Sequence, residues 1–91
     1  MLRIDIWPEA KKFIDALPAK HARQVAAKIL ALAEDPTHPL SKMLEGFTPL
    51  RRVRSGDFRL IYFVDVDVLK IPLVDRRNDY KVYRRLKQIF G

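Results

Sequence analysis

The chain contains no cysteine, which excludes a disulfide framework and any thiolate metal site. It therefore folds on packing alone and has no need of an oxidising compartment. Its two histidines, His21 and His38, stand in a helix-like segment and in a proline-flanked loop, and neither shows metal spacing with carboxylates. Both read as surface histidines. The three glycines are scattered, so there is no glycine-rich phosphate loop, and no Ser/His/Asp arrangement is visible. No apolar run approaches the roughly 20 residues of a membrane span. The opening MLRIDIWPEA lacks the charged-then-apolar order of a signal peptide. These absences lead to the expectation of a cytoplasmic protein with no membrane partner.

What is present is a globular balance: 91 residues, 48% hydrophobic and 32% charged, which predicts one domain, residues 1–91, with one core. Eighteen Lys and Arg against eleven Asp and Glu leave a net charge of +7. Charge of that size suggests either an acidic partner or a solvated surface that aids solubility. The excess falls in the second half of the chain, where Asp57, Asp65, Asp67, Asp75 and Asp79 oppose a larger set of arginines and lysines.

The hydrophobic period assigns the elements. LRIDIW, residues 2–7, alternates as a short half-buried strand. Pro8 opens a helix whose apolar positions are Ala10, Phe13, Ile14 and Leu17. Pro18 cuts it and starts a second helix, with a stripe of Ala22, Val25, Ala26, Ile29, Leu32 and Ala33, ended by Pro36 and Pro39. Residues 41–49 read as a connection. Three period-two runs follow, LRRVR, FRLIYFV and VLKIPLV, joined at Ser55-Gly56-Asp57 and Asp65-Val66-Asp67. Pro72 lacks a backbone donor, which places the last run at an edge or interrupts it. NDYKVYRRLKQIF closes as a helix, capped by Asn78 or Asp79, with Val82, Tyr83, Leu86, Ile89 and Phe90 on one face. The expected architecture is α+β in the order β-α-α-β-β-β-α. It comprises a small, mostly antiparallel sheet covered on one face by the helical hairpin, and a C-terminal helix.

Parity aims the arginines. Arg52 and Arg54 share one strand face, while Val53 and Arg51 have the opposite parity. If the Ser55–Asp57 turn brings Arg59 beside Arg54, three guanidiniums converge on one face, and like charges so placed repel unless an anion or neighbouring aspartates disperse them. A second basic cluster, VDRRNDYKVYRR, holds Arg76, Arg77, Lys81 and Arg84. Tyr83 within it fits either a core position or an active one.

The pieces LEG (Leu44 to Gly46), RVRSGDFRLIY (Arg52 to Tyr62) and RRNDYKVYRR (Arg76 to Arg85) resemble the RelE/ParE superfamily of type II toxin–antitoxin toxins. The likeness covers nearly the whole chain. It implies a metal-independent endoribonuclease, without cofactor, that cleaves mRNA on the ribosome and so inhibits translation. It also implies a cognate antitoxin as partner, with operator DNA bound only through the toxin–antitoxin complex. Carried onto this chain, Arg59, Arg77 and Tyr83 would be catalytic. Arg51, Arg52, Arg54, Arg76, Lys81 and Arg84 would bind RNA phosphate. Two departures stand out: Asp75-Arg76-Arg77 replaces the common Gly-His-Arg or Gly-Lys-Arg run, and the first basic strand position is Leu50, with Arg51 one residue out of phase. The alternatives implied are a ParE-like inhibitor of DNA gyrase and a non-catalytic member that binds an antitoxin.

Overall fold

The computed structural model describes residues 1–76 and 79–90. The elements are β1 (Arg3–Ile6), α1 (Pro8–Asp15), α2 (Ala19–Glu34), β2 (Lys42–Met43), β3 (Arg51–Ser55), β4 (Phe58–Asp65), β5 (Val68–Arg76) and α3 (Asp79–Phe90). Proline sets both helix starts: Trp7 and Pro18 are extended before α1 and α2, and Pro8 fills the first turn of α1, where a missing N–H costs nothing. The two-residue β2 lies where the sequence suggested only a connection, because so short a strand carries no period.

The five strands form one sheet in the order β1-β5-β4-β3-β2. All pairs are antiparallel except β1 with β5, which run parallel. β5 is therefore interior, not an edge. Its proline is accommodated by interruption: Ile61 pairs with Leu73 and Phe63 with Lys70, so Ile71 and Pro72 together oppose Tyr62. The missing N–H of Pro72 falls in this bulge. The extra residue also reverses the alternation of β5. Leu69 and Ile71 before it, and Val74 after it, all face the helical hairpin.

The hairpin face holds the larger core, with Val25, Ile29 and Leu32 of α2 against Val53, Phe58, Leu60 and Tyr62 of the sheet. Each such side chain fully buried contributes about 1.5–3 kcal/mol. The single core expected is in fact two. On the opposite face, Val82 and Leu86 of α3 pack on Leu44, Leu50, Ile61 and Leu73. Both sheet faces are apolar over part of their area, and α3 covers only some of the second. Two-residue turns make the β3–β4 and β4–β5 hairpins. In each, the first central residue has a positive φ: Gly56 at 60° and Val66 at 58°. Glycine suits that position; valine does not. Among the described residues, no helix is long and apolar enough to cross a membrane.

Candidate functional site

The part of the second face that α3 leaves open is cationic. In β3, Arg52 and Arg54 share the parity of the buried Leu50 and so point to this face. The register places Arg54 directly opposite Arg59 of β4, and Lys42 of β2 directly opposite Arg52. Two like-charged pairs thus lie side by side across three strands, with paired Cβ atoms about 5 Å apart. On its other side Arg59 stands opposite Asp75 of β5, one carboxylate in a row of guanidiniums. Arg59 is only 6% exposed, whereas Arg54 is exposed. The chain thus offers one sheltered guanidinium and one open one.

Lys42, Arg52, Arg54 and Arg59 line a cavity of about 390 Å³, whose remaining wall is Val53, Pro39 and Leu40. That volume lies within the range of small-molecule sites. Guanidiniums fixed on strands present paired N–H donors to phosphate oxygens. The arrangement can hold a phosphate and stabilise negative charge developing on it. Among the described residues, no group of His, Asp or Glu side chains is placed to hold a metal ion.

The other candidates separate. Arg51 has the parity of Tyr62, its register partner, and points to the hairpin side. There its Nε and one Nη donate to Ser41 Oγ at 3.2 and 3.1 Å. Arg76 is opposite Phe58 and stacks over that ring, 5.6 Å from its centroid. Neither joins the cationic cavity, because strand alternation sends both to the opposite face. Lys81 and Arg84 line a different recess of about 360 Å³ with Asp75, Arg85 and Gln88, which meets the sheet at Asp75, the register partner of Arg59. Arg85 there ion-pairs with Glu9 of α1. Tyr83 is half-buried against Phe47, ring centroids 5.8 Å apart, and packs on the second core. It is not among the residues lining the cationic cavity. Arg77 and Asn78 lie outside the described residues.

The fold is shared with solved toxins. An archaeal RelE in complex with RelB from Pyrococcus horikoshii OT3 is 30% identical, with a TM-score of 0.74 over 85% of this chain and 96% of that one. The chain belongs to the RelE family of toxin–antitoxin toxins. A mutant of the Escherichia coli toxin RelE in the free state superposes at a TM-score of 0.80 over 99% of this chain and 98% of that one, at 21% identity. The YoeB dimer from Staphylococcus aureus reaches 0.67 at 20% identity, over 85% of this chain and 98% of that one. No family model and no curated protein matches the sequence. Lys42 and Leu40 of the cationic cavity were missed in the sequence. Lys42 lies on a strand too short to show a period. Leu40 sits in a loop, where no period marks it.

His21 meets the edge of Phe58, with centroids 5.5 Å apart, so it is a packing residue and only partly a surface one. His38 organises the loop before β2, where its Nδ1 accepts the Leu40 N–H at 3.1 Å.

Proposed function

We propose that this RelE-family toxin is a metal-independent endoribonuclease that cleaves mRNA on the ribosome and is neutralised by a cognate antitoxin. The observation that carries the reading is the pair of like-charged cross-strand couples, Lys42/Arg52 and Arg54/Arg59, whose mutual repulsion a bound anion would relieve beyond what Asp75, opposite Arg59, offsets. RNA supplies that anion as a phosphodiester. In the reaction a ribose 2′-oxygen attacks the adjacent phosphorus and the bond to the 5′-oxygen breaks, leaving a cyclic phosphate. The 2′-OH proton passes to a base, and the 5′-oxygen takes up a proton. Charge gathers on the non-bridging oxygens, where Arg54 and Arg59 contribute a few kcal/mol each, about the scale of one oxyanion donor. By family resemblance Arg77 serves the leaving group and Tyr83 the 2′-OH. The antitoxin covers the cationic face with acidic side chains, and operator DNA is reached through that complex.

The packing of Tyr83 on Phe47 favours a second reading, in which the tyrosine is structural and the face only binds, as in a ParE-like gyrase inhibitor or a non-catalytic member. Expression without antitoxin, followed by mapping of mRNA ends, separates the two. Growth arrest with new ends inside translated codons, relieved by Arg54→Gln, supports cleavage. Arrest with intact mRNA and stalled supercoiling sinks it.

A further inference from the structure

The loop from α2 to β2 is restrained more than a surface connection requires. Thr37 donates its backbone N–H and its hydroxyl to Asp35 Oδ1 at 3.1 and 2.9 Å. The Tyr62 hydroxyl reaches out of the core to donate to the Pro36 carbonyl at 2.6 Å. The Leu40 N–H donates to His38 Nδ1, and the Ser41 N–H to the His38 carbonyl at 2.8 Å. Arg51 clamps Ser41 Oγ, and Pro36 and Pro39 each fix a φ. What this loop presents is Leu40, 66% exposed, a member of neither hydrophobic cluster. With Pro39 it forms the apolar wall of the cationic cavity. A lone exposed leucine on a mobile loop needs no explanation. One held rigidly beside Lys42, Arg52, Arg54 and Arg59 is placed for a ligand with both an anionic and an apolar part.

We infer that Leu40, with Pro39, is a platform for the base of the nucleotide whose phosphate lies on Arg54 and Arg59, so that the cavity takes a whole nucleotide of single-stranded RNA and not a bare phosphate. The inference rests on the RNA-cleaving reading and adds a substrate-binding residue to it. Every base has a flat apolar face, so a platform of this kind is tolerant of sequence. A ligand oriented at two points is also held for in-line attack better than one held by charge alone.

The test titrates the full chain with a short, fluorescent RNA carrying 2′-O-methyl groups, which cannot be cut, and with an abasic strand of the same length. Leu40→Ala should weaken RNA binding about 3- to 10-fold, leave the abasic strand unchanged, and leave thermal stability unchanged because the side chain is outside both cores. Leu40→Tyr, which puts a flat aromatic surface in place of the aliphatic one, should bind the RNA at least as tightly as the natural chain. Arg54→Gln should weaken both ligands. If Leu40→Ala binds RNA as the natural chain does while Arg54→Gln still loses it, the platform is refuted and the RNA-binding face stands. If the natural chain binds neither strand, free or held on ribosomes, the RNA reading itself fails and takes the platform with it.

Discussion

Two arginines set directly opposite each other across a strand pair should be a liability to the fold, and Arg54→Gln measures that liability. Arg54 and Arg59 are direct cross-strand partners, and Gln keeps most of the arginine stem while removing its charge. Two unit charges about 5 Å apart in a water-like dielectric repel by about 0.8 kcal/mol. The heads of two arginines splay beyond their Cβ spacing, and Arg54 is exposed. The expected gain is therefore about 0.5 kcal/mol, inside the range of about 0.2–1 kcal/mol for cross-strand pairs. In a domain of this size that raises the melting temperature by about 2–4 °C. The assay is urea unfolding, since guanidinium chloride is itself a salt, with and without added NaCl. The gain should be full at about 0.01 M NaCl, where the screening length is about 30 Å, and nearly absent at about 1 M, where it is about 3 Å. RNA binding should fall in the same variant. A variant that is destabilised at low salt, or whose gain ignores salt, would show that the two arginines do not repel and that the anion-binding argument has no energetic basis.

Val66→Gly should stabilise the fold by about 0.5–1 kcal/mol, since it removes a β-branched residue from a positive φ at the entropic cost of a freer unfolded chain; thermal unfolding reads it. Tyr62→Phe should destabilise by about 1–2 kcal/mol, because the Pro36 carbonyl loses its donor, and the midpoint of urea unfolding is the measure. Affinity for single-stranded RNA should fall with salt at a logarithmic slope of about −2 to −3 if the cavity cations neutralise three or four phosphates. Arg54→Gln should flatten that slope by about 0.7.

Much of this architecture is written in local pattern. Pro8 and Pro18 announce the helix starts, and period-two runs announce β3, β4 and β5. The parity of Arg52 and Arg54 is enough to aim them together. What is not local is harder to see. The bulge at Pro72 depends on which strand lies alongside, so Pro72 alone leaves edge and interruption equally open. The apolar stripe of α3 was visible, yet that it covers a second sheet face follows only from strand order. Arg51 and Arg76 count as basic residues in any composition, but alternation sends them to Ser41 and Phe58. The hydroxyl of Tyr62 is silent in sequence because its partner carbonyl belongs to a distant loop. Lys42 and Leu40, one on a strand of two residues and the other in a loop, leave no periodic trace at all.

The parallel pairing of β1 with β5 has a consequence for how the molecule comes into being. Strands β3, β4 and β5 are neighbours in sequence and can zip together through two-residue turns. β1 has nothing to pair with until Val68–Ile71 exist, at the far end of the chain. Closing so long a loop is the slow, entropically costly step of such a topology. The helical hairpin that follows β1 gains its full apolar bed only when β4 and β5 are in place. During synthesis the N-terminal third must wait, and the toxin reaches its finished shape only after its own last strand has been translated.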